Sequence, residues 1–300
     1  MLYKNIGEIP INLKGRVAIK LHMGDRGNKT HISPKDVSVL IEKIRAKGGD
    51  PYLVDTITLY PRERSTREGY LMVARENGFG DFPIVIARDD VFVEKDGFRI
   101  PKDIADADSL IVLSHATGHV LMGFAGAIKN LSIGCVNKYS KRRIHEPMRP
   151  LYDEGLCKKC GVCAEACKYG YIKLNDKVEI NLKDCHGCRR CVRSCPTGAI
   201  HIGKKALENN FELFSESAKA VLSLFKPENV IYINVLKNIT ELCDCVKDSG
   251  DIVCRDMGYL TGKNPLKLDM ETPELIRKQN PDTLDFKTWN LFVNIAKKHL

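Results

Sequence analysis

Eight of the chain's twelve cysteines lie between positions 157 and 195, and their spacing constrains the fold more than any other feature. Cys157, Cys160, Cys163 and Cys167 are separated by two, two and three residues, and Cys185, Cys188, Cys191 and Cys195 repeat that spacing 28 positions later. Gly170 and Ile172 recur as Gly198 and Ile200, so the duplication extends beyond the thiols. Between the halves, IKLNDKVEIN alternates apolar and polar residues about Asn175 and Asp176, the pattern of a small hairpin. Three thiolates from one tight loop suit three corners of a cubane, and the fourth must come from a distant segment, here the other repeat. Zinc knuckles use separated pairs rather than a triplet plus a distant fourth thiolate, so the spacing favours two [4Fe-4S] clusters over two zinc sites. The N-terminal MLYKNIGEIP lacks the apolar core of an export signal and no apolar run approaches a membrane span. A cytoplasmic protein is expected, in which cysteine density means metal rather than disulfides.

The run resembles the bacterial-type two-cluster ferredoxins, in which each fourth cysteine crosses to the other cluster. That resemblance implies Cys157, Cys160, Cys163 and Cys195 on one cluster and Cys185, Cys188, Cys191 and Cys167 on the second. Pro196 follows the last cysteine as in that family, whereas Lys168 replaces the proline after Cys167. His186, Arg189 and Arg190 place positive charge beside the second cluster, which should make it the easier to reduce. The formal charge is +9. Two oxidised clusters at −2 each reduce it to about +5, so nucleic acid is not an expected partner.

The remaining sequence alternates strand and helix patterns. Strands are expected at 17–21, 52–54, 84–87, 110–113 and 230–236, and helices at 34–46 and 66–76. A hairpin is expected at 91–100, turning at Asp96 and Gly97. Leu207, Phe211, Phe214, Ala218, Val221 and Phe225 mark one helix stripe, and Phe286, Trp289, Phe292 and Ala296 another. This rhythm predicts an α/β core with a largely parallel sheet. A tail from 204 onward is small for a core of its own. Residues 1–150 and 204–300 are therefore expected to share one α/β domain, with 151–203 inserted as an α+β two-cluster ferredoxin-like module.

Ligands of parallel α/β sheets gather at strand C-termini. His22, Asp55, Thr56, Asp89, Asp90 and His115 fall at such positions. His115 and His119 are four apart, which suits one helical face, though Gly118 makes a loop equally compatible. Lys129 is a charge amid small apolar residues, matching an anion partner or a side chain that reaches to water. Cys135, Cys243, Cys245 and Cys254 lie outside the module. Cys243 and Cys245 are open to three readings: metal ligation, thiol–disulfide cycling or core packing.

VAIKLHMGDRGN, VDTITLYPRER, SHATGHVLMGFAGAIKNLSIGC, the cysteine module, ELCDC and RDMGYL occur in an order similar to that of the uncharacterised iron-sulfur centre proteins, domain of unknown function 362. The resemblance implies an α/β core carrying an inserted two-cluster module. It points to His22, Asp55, His115, His119, Lys129, Cys135, His145, Cys243 and Cys245 as motif positions, with Cys135, His145, Cys243 and Cys245 as candidates for a further metal site. It supplies no reaction. Asn264 and Lys267 replace an acid and a small residue of the family pattern, Asp269 is retained, and Cys254 stands where proline is expected. The expected function is an oxygen-sensitive iron-sulfur oxidoreductase in which two clusters relay single electrons to a metal- or substrate-binding site at the strand C-termini. A redox partner protein is expected, and a small-molecule substrate is compatible. The alternative is a non-catalytic electron carrier or cluster-handling protein whose α/β domain docks a partner.

Overall fold

Four apolar runs align side by side because each is buried on both faces, the condition that favours parallel pairing. The computed structural model describes residues 1–300, which divide into two compact units: residues 1–140 with 214–300, and residues 141–213. The first unit is built on a seven-stranded sheet. Its strands are β1 (Leu2–Tyr3), β2 (Gly15–Lys20), β3 (Gly49–Asp55), β4 (Ile84–Ile86), β5 (Ser109–His115), β6 (Val230–Leu236) and β7 (Gly258–Gly262). The spatial order is β1-β7-β6-β5-β2-β3-β4. The five strands from β6 to β4 run parallel, while β7 and β1 close one side antiparallel. The chain thus forms a mixed α/β architecture with a large, mostly parallel sheet. No helix is long and apolar enough to cross a membrane.

Local chemistry sets the element ends. The helix Pro34–Ala46 begins where Ser33 Oγ accepts from Lys35 N and proline occupies the first turn. Val37, Leu40, Ile41 and Ile44 bury its apolar stripe. Gly48 then turns the chain at φ +82°, and Gly49 starts β3 at a point where a Cβ would lie 2.6 Å from Ile44 Cγ2 and 2.9 Å from the Leu13 carbonyl oxygen. The helix expected to reach residue 76 runs Arg67–Ala74 and widens into a π turn at Arg75–Phe79, where Gly78 adopts φ 90°. Strands Phe92–Lys95 and Phe98–Pro101 form the expected hairpin, with Asp96 and Gly97 both in the left-handed region. Among the elements not anticipated are β1, β7 and the helix Pro265–Gln279. That helix is capped by Asn264, whose Oδ1 accepts from Lys267 N at 2.8 Å, and carries Pro273 within it.

The unit at 141–213 is wider than the cysteine span because its flanks bond to it. Arg142 donates to the Lys183 carbonyl at 2.8 Å, Arg149 to the Cys185 carbonyl at 3.2 Å, and Asn210 to the Ile144 carbonyl at 2.6 Å. Two two-stranded ribbons, Leu151–Tyr152 with Ile200–His201 and Ile172–Leu174 with Val178–Ile180, accompany helices Val162–Ala166 and Arg190–Ser194. The sequence repeat is also a backbone repeat. Left-handed residues occur at Lys159, Gly161 and Gly170 and again at Gly187, Arg189 and Gly198. Around the cysteines, Cys163, Ile172, Val178, Cys191 and Ile200 form a small cluster of buried residues.

Candidate functional site

The C-terminal ends of β2, β3 and β5 bring a polar cluster together inside the first unit. Lys20, the last residue of β2, is 1% exposed and pairs with Asp55 Oδ1 at 2.8 Å and with Asn130 Oδ1 at 2.6 Å. Asp55, the last residue of β3, also accepts from Thr56 N at 2.8 Å. Its Oδ2 accepts from the Tyr70 hydroxyl and lies 3.2 Å from His22 Nδ1. Tyr70 is fully buried. Burial and the Asp55 carboxylate push its phenol well above the ordinary value, so the hydroxyl stays protonated and donates.

These contacts define the histidine. Burial, then the charge of Arg64, lowers the His22 pKa against the opposing pull of Asp244 and Asp55, so the ring is neutral near pH 7. With a carboxylate facing Nδ1, the network assigns the proton to that nitrogen. Nε2 is buried without a hydrogen-bond partner and carries a lone pair. An imidazole oriented by a carboxylate, with its second nitrogen unpaired, can take a proton or ligate a metal.

A second pair stands at the end of β5. His115 Nδ1 lies 3.3 Å from Asp244 Oδ2, and its Nε2 is 2.8 Å from the Lys237 carbonyl. Burial disfavours the imidazolium, but the hydrogen bond and charge of Asp244 outweigh it and raise the His115 pKa. Burial likewise opposes ionisation of Asp244. Positive charge, from His22 when protonated and from His115 and Lys129, holds its carboxyl below the usual carboxylate range. Lys129 is held down to about 8 by burial, reinforced by Lys20 and Arg64 and opposed by Asp244.

Arg64, 4% exposed, ties the cluster to the loop after β6: its Nε donates to Asp25 at 3.0 Å and Nη2 to the Cys245 carbonyl at 2.9 Å. Lys20, Tyr70, Arg64 and Asn130 were not singled out from sequence. Lys20 and Arg64 sit within the motif segments already quoted, and a charge ending an apolar strand was the available signal for Lys20. Tyr70 reads as an ordinary core aromatic on its helix.

Several expected groupings do not form. His119 is not on a helix with His115: it lies in the short strand Thr117–His119, its Nδ1 accepting from Leu121 N and Met122 N, both at 3.3 Å. Gly118 and Gly123 favour a ribbon over a helix there. Cys135, His145, Cys243 and Cys245 do not assemble into a metal site. Cys243 and Cys245 are bonded to each other, Cys135 is buried with its thiol 3.5 Å from the Asn130 carbonyl, and His145 belongs to the other unit. No three His, Cys, Asp or Glu side chains converge as around a single metal ion. Asp89 caps a helix, accepting from Lys138 N at 2.8 Å. Asp269 is fully buried and caps the helix that carries Lys129, accepting from Ala127 N, Ile128 N and Asn234 Nδ2, each at 2.8 Å. Burial lifts its pKa to about 6, against those hydrogen bonds.

In the second unit, Cys157, Cys160, Cys163 and Cys195 line one pocket with Gly161, Val178 and Ile200. Burial, and after it the neighbouring Cys185, Cys188 and Cys167, push the Cys191 thiol up to about 12. Backbone amides point at the sulfurs: Lys159 N to Cys157 at 3.4 Å, Tyr171 N to Cys167 at 3.3 Å and Ile200 N to Cys195 at 3.4 Å. Such concave amide arrays, built on alternating left-handed residues, suit anionic groups including iron-sulfur clusters. His186 is buried edge-on against Tyr169 and Tyr171, and burial lowers its pKa, so it acts as an aromatic wall rather than the expected cation.

A family model described as Domain of unknown function (DUF362) matches residues 17–272. The archaeal-type glutamate synthase [NADPH] of Dehalococcoides mccartyi is 36% identical over 58 residues, which is 18% of this chain and 12% of that protein. The lactate racemase apoprotein from Thermoanaerobacterium thermosaccharolyticum is similar at a TM-score of 0.44 and 12% identity, over 92% of this chain and 52% of that one.

Proposed function

The chain belongs to the DUF362 family, and from that premise we propose that it is an iron-sulfur redox protein with two [4Fe-4S] clusters in the 141–213 unit and a proton-handling site at the sheet edge. The observation that carries this reading is the pocket lined by Cys157, Cys160 and Cys163 together with Cys195, the fourth cysteine of the other repeat. Cys157, Cys160, Cys163 and Cys195 would hold one cluster and Cys185, Cys188, Cys191 and Cys167 the other. When bound, the clusters supply single electrons.

The chain's own residues provide the acid–base chemistry. Asp55 fixes the His22 tautomer, and Tyr70 and Lys20 fix Asp55. His22 Nε2 is then free to accept a proton from a bound small molecule. Lys129, with a pKa near 8, supplies a cation for an anionic substrate group and can return a proton. A redox partner protein delivers the electrons in this reading.

The test is iron and sulfide content with EPR on protein purified without oxygen. About eight irons are expected in wild type and about four in Cys195→Ser or Cys167→Ser, each variant losing a different signal. Zinc in place of iron, or equal iron in all three proteins, would overturn the cluster assignment. His22→Ala should keep full iron and both signals while losing substrate turnover.

A further inference from the structure

The bond between Cys243 and Cys245 closes a loop around a single residue, Asp244. Chain-entropy stabilisation by a disulfide grows with the loop it closes, so one of this size is a poor staple. None of the other ten cysteines is disulfide-bonded. We propose that Cys243 and Cys245 form a reversible thiol–disulfide exchange centre within the sheet-edge site, taking its two electrons from a dithiol and giving them to a disulfide.

Three observations carry this. The loop is held by contacts that do not depend on the sulfur–sulfur bond: the Asp244 carbonyl accepts from Asp25 N at 2.9 Å, the Cys245 carbonyl from Arg64 at 2.9 Å, and the Asp244 carboxylate faces His115. Both sulfurs therefore stay in place when the bond opens, and closing it again requires little rearrangement. Arg64 donates to the Cys245 carbonyl, and a cation beside the loop favours the thiolate, while the Asp244 carboxylate between the two cysteines is itself paired with His115. The two sulfurs also differ in access: Cys243 is 6% exposed, whereas Cys245 is only partly buried.

The exchange balances without a further reactant. A thiolate of the incoming dithiol attacks Cys245 Sγ, the Cys243–Cys245 bond breaks, and Cys243 leaves as a thiolate that takes up a proton. The second thiolate of the dithiol then attacks its own sulfur in the mixed disulfide and releases Cys245, which is also protonated. One disulfide is lost from the protein and one is formed in the reductant, which is oxidised by two electrons. The reverse sequence reduces a disulfide substrate.

Trypsin provides a clean readout, because the peptide 238–247, between Lys237 and Lys247, contains these two cysteines and no other. Protein purified without oxygen is equilibrated with mixtures of reduced and oxidised dithiothreitol, quenched with iodoacetamide and digested. The peptide should carry two alkyl groups under reduced dithiothreitol and none under oxidised, and should return on reversal. A disulfide that persists in excess reduced dithiothreitol, or two free thiols under the oxidised form, would overturn the proposal. Cys245 in the Cys243→Ser variant should alkylate about tenfold faster than Cys243 in Cys245→Ser. Equal rates would overturn the assignment of Cys245 as the attacked sulfur. The wild-type titration stands even where a variant folds poorly.

Discussion

At the scale of single residues, the sheet edge is an arrangement of charges kept from water and balanced in pairs. His115 and Asp244 illustrate the consequence. His115 has a folded pKa above its ordinary 6.5, so its contribution to stability is complete below 6.5 and is lost as pH rises through the raised value. Asp244 is depressed below 3.8, so its contribution is present above 3.8 and is lost as pH falls through the lowered value. The pair stabilises most between about pH 4 and 6.5. His115→Ala should cost about 3–5 kcal/mol in that window because it leaves Asp244 buried without its partner. Thermal melts at pH 5.5 and 9 should show the deficit shrinking at the higher pH. Lys129 offers a second check. Competitive labelling with acetic anhydride should give a half-maximal rate near pH 8 at Lys129, whereas surface lysines rise only toward pH 10. His22 and Asp55 were legible from sequence because polar residues at the ends of apolar strands stand out, and Lys129 because it is a charge amid small apolar residues. Tyr70 and Arg64 were not, since their roles depend on which side chains lie across from them.

At the scale of elements, the helix Pro34–Ala46, the hairpin at Asp96 and Gly97, and strand Val230–Leu236 were readable because propensity, capping and burial all agree. β7 was not readable: Gly258–Gly262 is short, bounded by glycines, and becomes a strand by pairing with β6 and β1. Of the two readings open for His115 and His119, a helical face and a loop, the helical one is excluded for a similar reason. Gly118 lies where a Cβ would be 2.1 Å from the Glu241 carbonyl oxygen, and its own amide donates to Thr240 at 2.9 Å, so the ribbon is clamped to the loop leading to Cys243. Gly118→Ala should therefore destabilise by about 1–3 kcal/mol, since a backbone atom must move. Urea unfolding would measure the loss. Under reduced dithiothreitol, faster alkylation of Cys243 should accompany it, because the displaced segment precedes that residue.

At the scale of the whole molecule, two units differ in what holds them together. The sheet unit has an extended apolar core running from Ile6 to Tyr259. Around the cysteines of the 141–213 unit lies a cluster of five buried residues, two of them the cysteines 163 and 191. A cluster of this size gives the cysteine segment little apolar support of its own, and under the proposed function the bound clusters supply the rest. Removing iron with a chelator should accelerate amide exchange across 141–213 while strands β2, β3, β5 and β6 keep their protection, as hydrogen-exchange mass spectrometry would resolve. Equal loss of protection in both units would contradict this division of stability.

The cysteine spacing, its 28-residue repeat and the alternation of strand and helix patterns are local regularities, and these were sufficient by themselves to determine the α/β class and to single out a cysteine-rich segment. Tertiary structure decided which charges face one another. Lys20, Asp55, Tyr70 and Arg64 are drawn together from separate strands and helices, and Asp244 arrives from nearly the other end of the chain. Pairings of this kind follow from how the chain closes on itself, so no local pattern encodes them.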